Sequence, residues 1–164
     1  MLRGKVFIGL GANLGSPKVT FDAALEQLKC NDCSILRKSS LYHTSPYGFQ
    51  DQPDFLNAVV EIETDLPPSP LLNLLQAIER TLGKKVVCKN GPRIIDMDLL
   101  LHQDHIREEG NLIVPHPGIP ERDFVLLPLV EIAPELRHPV SGRMLKDLLS
   151  ALNNGTHNGK TETW

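Results

Sequence analysis

The sequence predicts an α+β domain, a sheet packed against helices, and two observations lead there. Strand-like and helix-like segments are mixed along the 164 residues without strict alternation, which argues against a doubly wound parallel sheet. Residues 91–101, GPRIIDMDLLL, are apolar and β-branched with a two-residue period. As a strand, this run places Ile94, Asp96, Asp98 and Leu100 on one face and Ile95, Met97, Leu99 and Leu101 on the other. The second face is wholly apolar and requires a core. The first carries two acids between hydrophobes, which no purely structural strand needs.

The remaining elements follow in order. Lys5 to Leu10 reads as a first strand, buried on both faces. Gly9, Gly11 and Gly15 follow, and Ser16-Pro17 reads as an N-cap and first helical turn. Strand, glycine turn and helix raise a dinucleotide fold, but the GxGxxxG spacing is one residue too long and no acid closes an obvious second strand. Val19, Phe21, Ala24, Leu25 and Leu28 form the stripe of a helix running to about Lys29. Ser34 to Thr44 reads as one strand of mixed polarity, and 45–54 as a loop long enough to be functional. A further strand covers 55–64, with Asn57, Val59, Glu61 and Glu63 opposite Leu56, Ala58, Val60 and Ile62. By sequence alone Asn57 is more simply a solvated residue than a ligand-reading amide.

Ser69-Pro70 is expected to cap a second helix that turns Leu71, Leu74, Leu75, Ile78 and Leu82 to the core and stops at Gly83. Gln76 and Glu79 share its polar side, either facing a nucleotide or simply wet. Asp104 to Gly110 reads as a charged turn, Leu112 to Val114 as a short strand and Pro115-His116-Pro117 as a rigid corner. Glu121 to Ile132 reads as a helix kinked near Pro128, and Ser141 to Leu152 as another helix. Residues 1–152 are expected to form one domain, and 153–164, polar and glycine-containing, a frayed tail.

Composition narrows the function. At 41% hydrophobic and 23% charged this is an ordinary globular chain, and a net charge of −3 argues against nucleic acid as the main partner. The longest apolar run, Phe124 to Val130, is interrupted by Pro128 and is far short of a membrane span. With no apolar leader ending in a small-residue cleavage site, the cytoplasm is the expected compartment. Three cysteines do not make a disulfide framework. Cys30 and Cys33 form a Cys-x-x-Cys, but Cys88 is the only other thiol, too few for a zinc site, and the pair closes a helix where a redox motif opens one.

The carboxylate pair carries the chemistry. Acids at i and i+2 of a strand lie roughly 6.5–7 Å apart at their Cα atoms and, partly buried, repel. A divalent cation between them removes that conflict, and an all-oxygen donor set favours magnesium bridged to phosphate oxygens. An edge strand with two solvated acids is the alternative. Lys84, Lys85, Lys89 and Arg93 precede the pair, with no acid among them, and lead into Asn90-Gly91-Pro92. A basic, turn-rich loop beside paired carboxylates suits a polyphosphate with its metals.

The run GPRIIDMDLLL closely resembles the signature of the 6-hydroxymethyl-7,8-dihydropterin pyrophosphokinases. IGLGANLGSP, SSLYHTSPYGFQDQPDFLNAVVEIET and VPHPGIPERDFVLLPLVEIAPEL resemble further segments of that family, in the same order and almost end to end. The resemblance implies a ferredoxin-like fold, an antiparallel-rich sheet flanked by helices, with ATP and a pterin side by side. It implies transfer of diphosphate from ATP to the pterin hydroxymethyl group, releasing AMP, in folate biosynthesis. Asp96 and Asp98 then correspond to the ligands of two magnesium ions and Arg93 to a phosphate clamp. His116 and Arg122, with Gln76, Glu79 and the basic-loop residues Lys84, Lys85 and Lys89, fall on the ATP side. Phe55 and Phe124 resemble a pair that sandwiches the pterin ring, Asn57 the residue that reads its edge, and Thr44, Ser45 and Tyr47 the loop beside it.

The chain departs from the family's Gly-Arg-x-Arg at Gly83-Lys84-Lys85-Val86. Lys84 supplies charge without a bidentate fork, Lys85 could stand in by a shift of one, and activity is expected to survive at a reduced rate. Asn90 stands where an aromatic often precedes Gly-Pro-Arg. Two other readings stay open on the residues alone: another magnesium-dependent Asp-x-Asp phosphotransferase, and a non-catalytic nucleotide- or pterin-binding module.

Overall fold

The computed structural model describes residues 5–46, 50–85, 88–152 and 157–164. Strand β1 (Val6–Ala12) is central, antiparallel to β4 (Phe55–Glu63) on one side and to β5 (Asp96–His102) on the other. Strands β2 (Ser34–Lys38) and β3 (Leu41–Thr44) both lie along the far edge of β4, and β8 (His157–Glu162) closes the sheet against β3. With α1 (Pro17–Cys30) and α2 (Pro68–Thr81) as the crossovers, the spatial order β5-β1-β4-β3 is that of a ferredoxin-like α+β fold. A separate hairpin pairs β6 (Arg107–Glu109) with β7 (Leu112–Val114), and α3 (Asp123–Ile132) and α4 (Leu145–Ser150) follow.

Two apolar cores, one on each face of the sheet, follow from the period of two along the strands. Val6, Ile8, Leu10, Leu56, Ala58, Val60, Met97 and Leu99 pack with Phe21, Leu25 and Leu28 of α1 and Leu71, Leu75 and Ile78 of α2. Phe7, Val59, Leu100 and Leu101 pack with Val125, Leu126 and Leu129 of α3 and Leu145 and Leu148 of α4. The sheet is therefore covered on both faces, and the ends of β1, β4 and β5 that lie beyond α3 carry the site.

Several boundaries differ from the sequence expectation for identifiable reasons. Leu101 joins Leu100 on the α3 face because the β1–β5 register shifts between Phe7 and Ile8, which pair with Leu101 and Leu99. Ser39-Ser40 splits the expected 34–44 strand in two: the Ser39 hydroxyl caps the Val59 N–H at 2.9 Å, and the Ser40 N–H turns to the Glu131 carboxylate. Helix α2 begins at Pro68, because prolines at 68 and 70 fall in the first turn, where amide donors have no helical partner anyway. Gly83, at φ 94°, is the left-handed stop after α2. Val19 lies outside the α1 stripe and is exposed. Gly9 and Gly11 lie inside β1 rather than in a turn after it. Within the expected charged turn, Arg107–Glu109 forms a strand, and a left-handed Gly142 with an Arg137–Met144 bridge delays α4 to Leu145. Helix α3 starts at Asp123, after a 3-10 turn over Ile119–Glu121, and retains Pro128 within it.

Of the expected frayed tail, 153–156 lie outside the described residues, and 157–164 are ordered against the fold. Residues 157–162 pair with β3, whose outer edge would otherwise present unpaired backbone groups. Trp164 packs on the α1 core, its ring centroid 5.8 Å from that of Phe21. Its indole N–H donates to the Ser39 carbonyl at 2.6 Å, and the Lys38 ammonium stands 4.6 Å from the ring. One large apolar side chain outweighs the polarity of the segment that precedes it. Trp164→Ala is expected to cost about 2 kcal/mol of stability, read as a lower urea midpoint at unchanged m-value.

Candidate active site

The site grows out of one face of three adjacent strands. Side-chain alternation turns Gly9 and Gly11 of β1, Phe55, Asn57 and Val59 of β4, and Asp96 and Asp98 of β5 toward the α3 side. The register aligns Asp96, Gly11 and Asn57 in one cross-strand row and Asp98, Gly9 and Val59 in the next. The middle of each row is a glycine, so the carboxylates and Asn57 face each other across bare backbone. A Cβ on Gly11 would lie 2.9 Å from Asn57 Oδ1, so only glycine leaves the amide where it is. Over this trough stand Arg122 and Phe124, with the guanidinium carbon 5.7 Å from the Phe124 ring centroid. Thr44, Ser45, Phe55, Asn57, Arg93, Asp96, Asp98, Arg122 and Phe124 line one cavity.

A second cavity opens on the other side of β5, between α2 and the segment from β7 to Pro117. Gln76, Glu79, Lys84, Asp98, Ile113 and His116 line it. Asp98 belongs to both cavities, so a ligand in each would meet at this carboxylate.

Charge is balanced tightly here. Burial, reinforced by the charge on Asp96, pushes the Asp98 carboxyl up to about 6, while Arg122 and Lys84 hold it back. Lys84 Nζ bridges Asp96 Oδ1 at 2.7 Å and Glu79 Oε2 at 2.9 Å. Burial alone would lower the Lys84 ammonium, but these two carboxylates outweigh it and the pKa is raised. Glu79 is buried rather than wet, and that burial raises its pKa even though it accepts the Met97 N–H at 2.8 Å as well as Lys84. Burial, and then Arg122, lowers His116 to about 4. It is therefore neutral at pH 7. Its Nδ1 accepts the Gly118 N–H at 2.9 Å, which leaves Nε2–H as a donor.

The donor set at Asp96 and Asp98 fits a hard divalent ion. Both side chains offer carboxylate oxygens, burial and then the Asp96 charge raise Asp98, and Lys84 already sits on Asp96 as a cation. Among the described residues no group of three or more His, Cys, Asp or Glu gathers that could hold a metal ion. Such an ion would then take its other oxygens from water and ligand, as magnesium does beside phosphates.

Most of the residues expected from sequence come together around these two cavities, with informative exceptions. Asn57 is buried and donates from Nδ2 to Thr44 Oγ1 at 2.6 Å, so it is not a solvated residue. Arg93 turns inward, donating to the carbonyls of Cys88, Gly91 and Pro92, with Nε 3.8 Å from Asp96. Lys85 and Lys89 are exposed and line neither cavity, and Tyr47 lies outside the described residues. Cys30, Cys33 and Cys88 are free thiols, with Cys33 buried and the other two exposed. Sequence reasoning missed Asn13, which is buried and bonded to two loops, and the role of Gly9 and Gly11 as the floor. Two-residue spacing opposite Asp-x-Asp was the available signal for the glycines.

Comparison with known proteins shows the family. The model of the 7,8-dihydro-6-hydroxymethylpterin-pyrophosphokinases matches residues 7–134, which include every site residue discussed above. The chain belongs to that family. It is 40% identical over 148 residues to the 2-amino-4-hydroxy-6-hydroxymethyldihydropteridine pyrophosphokinase of Pseudomonas aeruginosa, covering 90% of this chain and 91% of that one. It is 43% identical over 137 residues to the folic acid synthesis protein fol1 of Pneumocystis carinii, covering 84% of this chain but 18% of that much longer protein. The solved HPPK-DHPS of Plasmodium falciparum with pteroate shares the fold at a TM-score of 0.72 and 17% identity, over 90% of this chain and 42% of that one. The chain thus spans nearly the whole of one pyrophosphokinase relative and about a fifth or less of the longer fol1 protein.

Asp96→Asn removes the neighbouring charge and is expected to move the Asp98 carboxyl down from about 6 toward the ordinary range. A carbon-13 NMR titration of the side-chain carboxyls reads this directly, and an unmoved Asp98 would leave burial as the whole cause.

Proposed function

We propose that this chain transfers diphosphate from ATP to the hydroxymethyl group of 6-hydroxymethyl-7,8-dihydropterin, giving AMP and the pterin diphosphate used in folate biosynthesis, in the cytoplasm. The hydroxymethyl oxygen forms a bond to the β-phosphorus, the bond from that phosphorus to the α,β-bridging oxygen breaks, and the hydroxyl gives up its proton. The observation that carries the reading is the position of Asp98 between two unlike cavities. One is a trough with an amide and aromatic rings, the other a pocket with a cation and a neutral imidazole. Pyrophosphokinase relatives 40% identical over 82% and 90% of the chain support it.

The residues divide the work by chemistry. Phe55 and Phe124 offer faces for a flat heterocycle. Thr44 holds one hydrogen of the Asn57 amide, leaving Oδ1 and the second hydrogen to read the pterin edge. On the other side His116 Nε2–H and Gln76 offer donors to the nucleotide, while Arg122, expected there too, lines the trough instead and faces Asp98 as a fixed positive charge. Asp96 and Asp98 would hold two magnesium ions, which when bound offset triphosphate charge and acidify the attacking hydroxyl. Lys84 and Arg93 supply the charge that meets the phosphates as the bond breaks. Both are held by protein groups in this structure, yet Lys84 spends two of its three N–H donors and Arg93 three of its five, so each keeps a donor for a phosphate.

The deciding assay is AMP formation from ATP and magnesium, with and without the pterin. Pterin-dependent AMP, abolished in Asp96→Ala, is expected. ADP in place of AMP would mean simple phosphoryl transfer, and no turnover would favour a binding module. Lys84→Ala is expected to lower kcat about 10²-fold, and unchanged turnover would remove Lys84 from the catalytic set. Because Asp98 takes up a proton as pH falls through about 6, the magnesium concentration for half-maximal rate is expected to rise on acidification. A requirement flat from about pH 8 to about pH 5 would contradict the carboxylate's part in metal binding.

A further inference from the structure

Asn13, at the end of β1, touches neither cavity, yet its buried carboxamide is spent on the loops that border them. Its Oδ1 accepts the Arg93 N–H at 2.9 Å. Its Nδ2 donates to Gln52 Oε1 and to the Pro53 carbonyl, both at 2.9 Å. The backbone N–H groups of Asn13 and Leu14 both donate to the Arg93 carbonyl, at 3.0 and 3.1 Å. Gln52, so oriented, donates from Nε2 to the Asn90 carbonyl at 2.7 Å. Asn13, its neighbour Leu14 and the glutamine that Asn13 holds thus all bond to the 88–93 loop from elsewhere in the chain.

We propose that Asn13 is a positioning residue that locks the loop leading to Phe55 and Asn57 to the loop carrying Arg93, so that occupancy of the trough and placement of the guanidinium are coupled. One buried carboxamide uses its acceptor on one loop and both donors on the other, so neither loop moves without breaking a bond to it. No aspartate, serine or alanine offers the same set. The coupling rests on the pyrophosphokinase reading; the mechanical link does not.

Both parts are tested on the full chain with Asn13→Ala and Asn13→Asp. Hydrogen exchange reads the link without any ligand. In Asn13→Ala the amide of Arg93 and those of residues 52 and 54 are expected to exchange faster, while Val59 and Met97 in the sheet keep their protection. Asn13→Asp keeps the acceptor and should restore Arg93 alone. Unchanged loops, or a loss of protection that extends equally to Val59 and Met97, would overturn the proposal. The coupling is read as the affinity for a non-hydrolysable ATP analogue with magnesium, with and without 6-hydroxymethyl-7,8-dihydropterin. A gain of at least about fivefold is expected in the native protein and near onefold in Asn13→Ala. A native ratio of one, or a ratio retained in the variant, would overturn it. A native protein that binds nucleotide but no pterin would defeat the proposed function instead, and hydrogen exchange would still decide the link.

Discussion

Two carboxylates held on one face of a buried strand are the constraint to which the rest of the molecule answers. Asp96 and Asp98 cannot point apart, because strand alternation fixes both toward α3 while Met97 and Leu99 are committed to the opposite core. Placing two negative charges in a partly dry cleft costs free energy unless cations are supplied. Lys84 answers that need at Asp96, and Arg122 with Lys84 partly relieves Asp98.

Room for that chemistry comes from what β1 lacks. Gly9 and Gly11 face the site in the central strand of the sheet, where glycine is ordinarily destabilising. The two cores on either side of the sheet supply the stability that lets a bare stretch persist. No side chain projects from Gly9 or Gly11 on one face, while Ile8 and Leu10 remain fully packed on the other. The strand can therefore serve as a structural axis and as the floor of a cleft at once.

The departures at Lys84 and Asn90 acquire physical meaning in this setting. A lysine reaches both Glu79 and Asp96 as a point charge, which a single flexible stem can do without the planar geometry of a guanidinium. Asn90 adopts a left-handed turn at φ 57° and gives its carbonyl to Gln52. At this position the chain uses the residue to shape and anchor a loop, a task for which asparagine is suited.

Period and composition along the chain were enough to specify the strand that carries Asp96 and Asp98, the faces to which they and most of their apolar neighbours turn, the two crossover helices and the α+β class. Each of these is a local matter, and the resemblance of several ordered segments added the family. Folding was needed to send Leu101 to the other core, since a register shift belongs to a pair of strands and not to either one. Folding likewise joined Trp164 and β8 to the sheet, because a polar segment gains order from an open edge and one large side chain that fits the core. The same holds for the burial of Glu79, for Lys85 and Lys89 standing aside, and for Asn13 joining two loops about 40 and 80 positions away. Hydrogen bonds between distant segments leave no period in the chain, so only the folded arrangement reveals them.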